Sequence, residues 1–374
     1  MTLPQTEIST VVCPADLQHV RQSEASIIAF DDARLLLAYT DFYDGKWYDQ
    51  GPARIMGKWS HDWGQSWSEP FVIQENIGRI NVMEASLLRL PSGRVLLSFL
   101  RKDVQPPKGS AAGVLHPMLI YSDDDCRTWS EPVQITRGDA YWCSTNDRLI
   151  RLSTGRILLP VDEKSAGSHV WLSDDDGITW RRGAGAVHPP DGKRYAEPTV
   201  VELSDGRVDM YIRNDTGFIH VARSADHGDT WTLHNTWGPP SPYAPCMVKR
   251  LPGSPDLLLI WCQHSLVRTN LTAAISRDHG QTWEDFRLLE EAQNWPMALS
   301  HTYPSLTFAH GCAHMTYWET HKHPQVERMF HLIYRRLPIA WFYEKRQTRA
   351  GRAPVQLMSS QPQDATIQFD GEKR

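Results

Sequence analysis

An octapeptide of the form Ser-x-Asp-x-Gly-x-[Ser/Thr]-Trp occurs at residues 60–67, 173–180, 224–231 and 276–283. A fifth copy at 122–129 carries Cys126 where the others carry Gly. Successive copies begin 62, 51, 51 and 52 residues apart. Chance does not give four intact copies at so even a period, and the chain reads as a string of equivalent supersecondary units. Each copy has the chemistry of a tight turn between strands. The Asp side chain bonds nearby backbone N–H groups, Gly accepts positive φ, and the Trp packs back on its own unit. If the Gly position does need positive φ, Cys126 strains its turn.

A second repeat alternates with the first. Apolar strand pairs joined by polar turns are predicted at 26–40, 86–100, 149–161, 199–212, 247–262 and 305–318, with the alternating or continuous apolar runs of strands. Six hairpins and five turns fit an all-β, six-bladed β-propeller of four-stranded blades. The last blade takes 329–335 as its third strand and an N-terminal segment near 9–13 as its outer strand, which closes the ring and leaves only short edges. Fifteen Trp suit a core of many equivalent packing sites. The propeller is expected over 1–345, followed by a polar extension over 346–374.

The formal net charge of −5 gives no broad attraction to nucleic acid or anionic lipid, so neither is an expected partner. No apolar run reaches the ~20 residues of a membrane span. The N-terminal segment lacks a basic start followed by an apolar stretch, so the chain is expected to be cytoplasmic, or secreted or periplasmic if a signal peptide was removed. Cys13, Cys126, Cys143, Cys246, Cys262 and Cys312 lie far apart and read as scattered thiols. Nothing matches a zinc, nucleotide or calcium-loop motif, and no metal or cofactor is expected.

In a propeller the inner strands run along the axis, and residues at their openings meet on one face. Those openings carry Glu24, Glu84, Asp147, Glu197 and Tyr303. The paired strands end on Asp41, Arg101 and Lys102, Asp162 and Glu163, Arg213, and Glu319. Carboxylates crowded with Arg partners in a cleft are where displaced pKa values and catalysis are expected.

The turns, their period and the hairpins resemble the sialidase (neuraminidase) superfamily of Asp-box, or BNR-repeat, proteins over roughly residues 9–340. The resemblance implies a glycoside hydrolase that removes a terminal sialic acid or similar acidic sugar. Within YAEPTVVELSDGRVDMYIR, Glu197 resembles the family's base and Arg213 one of its three carboxylate-binding Arg residues. Arg268 resembles another, Tyr303 the catalytic Tyr, and Glu319 the acid that orients an Arg. Asp49 stands where the family has its acid/base Asp, with Asp41 and Asp44 as competitors. The family's first Arg lies in an Arg-Ile-Pro segment; this chain reads VRQSEASII, with Arg21 nearest and Glu24 or Ser23 closer to the expected site. Glu24, Glu84 and Asp147 are accordingly included as substrate-facing candidates.

A Tyr nucleophile suits a substrate with a carboxylate on its anomeric carbon, because an anionic nucleophile would approach against like charge. Two further readings stay open. One is a sialidase-fold hydrolase or lyase on another, uronic acid-containing glycan, with His116, His264 or His301 available as base. The other is a non-catalytic glycan-binding propeller using exposed Trp47 and Trp295.

Overall fold

The computed structural model describes residues 7–107, 113–164, 166–290 and 300–344. The chain divides after Tyr343, and the predicted extension over 346–374 lies outside the described residues, as does Trp295. Apart from one 3-10 turn at Ile339–Phe342, the described elements are strands.

They form antiparallel meanders. One sheet runs Asn81–Arg89, Val95–Val104, Val114–Ser122, Val133–Gln134. A second is centred on Ile157–Glu163 and Gly167–Ser173. A third runs Tyr195–Glu202 to Thr232–Asn235, and a fourth Met247–Arg250 to Glu284–Glu290. The largest sheet holds the meander Arg21–Ala29 to Phe71–Gln74 and the strands His301–Ala309, Cys312–His323 and Glu327–Pro338. Its two parts meet through one parallel pair, Arg21 with Phe330. Ile8–Cys13 pairs antiparallel with Glu327–Pro338, so the N-terminal segment does form the strand beside the last hairpin.

The apolar core lies between sheets. Leu36 shares a buried cluster with Leu87 and Leu97, and Leu96 with Leu149 and Leu159. Leu158 lies with Val200 and Met210, Tyr211 with Val248 and Leu259, and Leu258 with Leu306 and Met315. Leu35 and Leu37 join Leu332 and Tyr334, which links the start of the chain to its end. Each such side chain contributes about 1.5–3 kcal/mol by leaving water.

The octapeptides form the expected turns. Ser60 Oγ accepts from Gly64 N at 2.7 Å and donates to Asp62, whose carboxylate takes the Ser66 N–H and hydroxyl at 2.9 and 2.5 Å. The same Ser acceptor recurs at 2.8–2.9 Å for Cys126, Gly177, Gly228 and Gly280. Cys126 sits at φ 61, so the one non-Gly copy carries the anticipated backbone strain. All six cysteines are free, and five of them are buried.

One backbone feature positions the site. The inner strands Arg21–Ala29, Asn81–Arg89, Tyr195–Glu202 and His301–Ala309 each shift register against their hairpin partners by a bulge. Within those bulges Glu24, Glu84, Glu197 and Tyr303 have φ of 42, 67, 42 and 58, and Asp147 has φ 55 just ahead of its own short strand. Left-handed non-Gly residues cost of order 1–3 kcal/mol each and cluster where function needs them.

Candidate active site

Arg21, Asp49, Glu197, Arg213, Arg268 and Tyr303 line one cavity of about 340 Å³. The Tyr303 hydroxyl donates to Glu197 at 3.2 Å and accepts from Arg213 Nη1 at 3.1 Å. Arg213 also holds Glu197 in a short ion pair and lies over the Tyr243 ring at 3.9 Å. Arg268 donates to the Tyr243 carbonyl at 3.0 Å, and its guanidinium stands 5.6 Å from the centre of the Tyr303 ring. The Tyr303 ring stacks on Trp318, centroids 5.6 Å apart.

Arg21 belongs to the cavity wall, and Glu24 stands behind it. Arg21 Nη1 meets Asp49 at 2.7 Å, Nη2 meets Glu24 at 2.5 Å, and Nε donates to Ser23 at 2.9 Å. The bulge at Glu24 allows this: Arg21 keeps the cavity face while the carboxyl three residues on closes on the guanidinium. Glu24 is fully buried and does not line the cavity, contrary to its expected place facing substrate. The loop carrying Asp49 is fixed from behind, its backbone carbonyl accepting from Asn81 at 2.9 Å and Lys102 at 3.1 Å.

Three more candidates stand elsewhere. Glu84 is buried, accepts from the Thr145 hydroxyl at 2.5 Å and Asn146 N at 3.1 Å, and does not line the cavity. Asp147 takes Ser26, Leu306 N and Lys249 at 3.1, 2.8 and 2.9 Å, and opens on a different cavity of about 520 Å³. Glu319 has no Arg partner among the described residues; it bonds His301 at 2.7 Å and His321 at 2.5 Å. Strand alternation is the reason, since Trp318 and Thr320 line the cavity and the residue between them points to the other face. Asp41 pairs with His19 and Arg54, and Asp44 accepts from Gln18. His116, His264 and His301 are not among the cavity's lining residues.

Charge sets the proton affinities. Burial lowers the Arg21 guanidinium, but Glu24 and Asp49 reverse this and raise it. Burial raises Glu24 above the ordinary carboxylate value despite Arg21 and Ser23. Burial, then Glu24 and Glu197, raise Glu84 well above it. Desolvation pushes Asp49 up, yet Arg21, Lys102 and Arg213 outweigh it and hold Asp49 low. Burial and Glu197 raise the Tyr303 phenol well above its ordinary value, against Arg213 and Arg268.

A second cavity of about 480 Å³ adjoins the first through Glu197 and is lined by Asp162, which is 6% exposed. Burial, then Glu197, push the Asp162 carboxyl up to about 7, against a 3.5 Å bond from Ser168 and the charge of Arg213. A folded-state value above the unfolded one means stability that is complete below about pH 4 and lost as pH rises through about 7. Relative to Asp162→Asn, the wild type is expected to lose about 2–3 kcal/mol between pH 5 and pH 8. Urea unfolding of both chains at the two pH values checks this; parallel pH profiles would exclude an ionising Asp162.

Sequence reasoning missed Trp318, Thr320, Arg328 and Tyr243 around this site. Period-two alternation on Cys312–His323 would have found the first two. Arg328 and Tyr243 approach from long-range loop and hairpin contacts that leave no local signal.

A model of the BNR repeat-like domain matches residues 42–315. A sialidase of Paraclostridium sordellii is 28% identical over 240 residues, covering 57% of this chain and 55% of the relative, so the match spans about half of that protein. A Dyadobacter fermentans protein of unknown function superimposes with a TM-score of 0.71 at 20% identity, covering 90% of this chain and 100% of the other. The leech intramolecular trans-sialidase, complexed with 2,7-anhydro-Neu5Ac, does so with a TM-score of 0.70 at 15% identity, covering 90% and 71%. At these identities the structural likenesses speak for the fold, a sialidase-like β-propeller. With the family model matching most of its length, the chain belongs to the BNR repeat-like family of the sialidase superfamily.

Proposed function

We propose that this chain is an exo-acting glycoside hydrolase that removes a terminal sialic acid, or a closely similar acidic sugar, from a glycan. The observation that carries the reading is the convergence of Arg21, Arg213 and Arg268 on one cavity where Tyr303 touches Glu197. Planar guanidinium groups suit a carboxylate because paired N–H donors match its two oxygens. We further infer six blades in a closed ring over residues 1–345, supported by the cluster that links Leu35 to Tyr334.

In the proposed reaction Tyr303 Oη attacks the anomeric carbon while Glu197 takes the phenol proton. Asp49 gives a proton to the glycosidic oxygen as the bond to the leaving group breaks. Water then attacks the glycosyl-tyrosine, Asp49 takes the water's proton, and Glu197 returns one to the departing phenolate. The Arg21–Asp49 pair enters the cycle directly. A substrate carboxylate on Arg21 displaces Asp49, and loss of that cation raises the proton affinity that an acid needs.

Release of 4-methylumbelliferone from its sialoside tests the reading. Absence of release, with new ultraviolet absorbance from an unsaturated uronate product, would replace it with a lyase; glycan binding without any product would replace it with a binding module. Glu24→Gln should lower kcat/KM about tenfold, mostly through KM, because the ion pair that fixes Arg21 becomes a weaker bond to a neutral amide. Steady-state kinetics on the same sialoside would show it, and a fall confined to kcat would contradict a role in holding Arg21.

A further inference from the structure

The cavity beside Asp147 has no part in the chemistry above and shares no lining residue with the catalytic one. It measures about 520 Å³. Arg21, Glu197 and Tyr303 stand at or near the starts of their inner strands. This cavity is lined instead by the far ends of inner strands, with Ala29, Arg89 and Phe308 among them. Polar groups tie the strands together in between. Asp147 receives Ser26, Leu306 N and Lys249, and Asn146 Nδ2 donates to the Ala25 and Tyr303 carbonyls at 2.7 and 3.2 Å. The strands that carry the catalytic residues thus end on a second, separate mouth.

The whole chain is acidic, with a formal net charge of −5, yet this mouth is cationic: Arg89, Arg151 and Lys249 line it against one carboxylate, Asp147. Asp147 is already matched to Lys249 at 2.9 Å, and Lys249 also donates to the Leu306 carbonyl. The two arginines are held loosely. Among the described residues Arg151 meets only Asp176, at 3.9 Å, beyond hydrogen-bond reach. Arg89 lies 5.0 Å from the centre of the Phe30 ring and meets Asp31 at 3.1 Å, but that carboxylate is 93% exposed, and such pairs are worth little in water. Arg89 Nε is buried with no hydrogen-bond partner, so the side chain gains by turning its fork onto an anion. We propose that this mouth binds a phosphate monoester with a ring-sized, largely apolar body. Its phosphate is held by Arg89 and Arg151, and its body rests on Leu88, Pro91 and Phe308. Two cations in excess match a group that carries about −1.5 to −2 charge at pH 7 and three acceptor oxygens. A carboxylate would occupy one guanidinium fork and leave the other unmet. The volume falls in the range of about 300–1,000 Å³ usual for small-molecule sites. The proposal does not depend on the glycosidase reading.

Isothermal titration calorimetry with phenyl phosphate tests the proposal. The parent chain carries Arg268→Gln, which weakens the hold of the catalytic cavity on anions and leaves the second mouth intact. The parent should bind phenyl phosphate, and adding Arg151→Gln should weaken that binding about tenfold or more, as for loss of a bond between charged groups. Arg151→Lys, which keeps the charge without the fork, should weaken it less. Arg151 stands at the exposed rim, so neither substitution disturbs the core. No binding to the parent at about 10 mM, or an affinity that Arg151→Gln changes less than about twofold, overturns the proposal. Benzoate and inorganic phosphate are the comparison ligands, each expected to bind about fivefold or more weakly than phenyl phosphate. Benzoate binding equally well would overturn phosphate as the recognised group, and inorganic phosphate binding equally well would overturn the apolar body.

Discussion

Tyr303→Phe is expected to lower kcat by about 10³-fold or more on a sialoside, with the fold intact. The substitution removes one oxygen from a group whose ring is otherwise held by Trp318 at 5.6 Å and whose backbone carbonyl takes Asn146 at 3.2 Å. Arg213 keeps Glu197 as its partner, so the lost hydroxyl strands no charge. What disappears is the nucleophile and the route by which Glu197 draws off its proton. Glu197→Gln should cost about 10²–10⁴-fold for the second of those reasons alone. Combining the two should cost little more than Tyr303→Phe, because residues acting as a unit are not additive. The decisive measurement is single-turnover kinetics with intact-mass detection of a glycosyl-enzyme. Wild-type turnover in Tyr303→Phe would remove this residue from the mechanism.

Gly64→Ala is expected to destabilise the protein by about 2–5 kcal/mol, the sum of overpacking and of a side chain forced into the left-handed region. Gly64 has φ +83, and a Cβ there would stand 2.0 Å from the Tyr334 hydroxyl and 2.3 Å from its ring carbon. Tyr334 cannot easily retreat. Its hydroxyl bonds His314 Nδ1 at 2.8 Å and the Trp63 carbonyl at 3.2 Å. Gly93 supplies the control, with φ +92 and nothing within 4 Å of the same hypothetical atom. Gly93→Ala should therefore show the backbone cost alone, about 1–2 kcal/mol. Chemical denaturation of both variants measures the difference; equal losses would mean that Tyr334 yields and that the contact carries no strain.

The turns and hairpins were legible because they depend on local chemistry repeated at a fixed spacing. Asp62 and Ser60 satisfy backbone groups within a few residues of themselves, and such bonds can be read from the sequence. The site was legible where a residue opens an inner strand, as Glu197 and Tyr303 do, or follows one in its hairpin, as Arg213 does. It was not legible where one register step decides the face. Glu319 has the charge expected of an Arg partner but the parity of the opposite face, and Glu24, three residues after Arg21, takes the partnership across a bulge. Glu84 and Asp147 share that left-handed backbone, yet Thr145 and Asn146 claim one carboxyl and Ser26, Leu306 and Lys249 the other. These partners lie 61 to 159 residues away along the chain, and no local pattern announces them.

The repeated left-handed residue has an evolutionary consequence. One main-chain shape presents Glu at three positions, Asp at a fourth and Tyr at a fifth, so the scaffold is indifferent to which functional group it displays. Where such a position opens on the cavity, as at Glu197 and Tyr303, its side chain can be exchanged without redrawing the strands; Glu24, Glu84 and Asp147 are tied to partners behind it. The periphery has no such freedom where a glycine abuts a neighbouring tyrosine. New chemistry in a molecule of this build would arise from the middle outward.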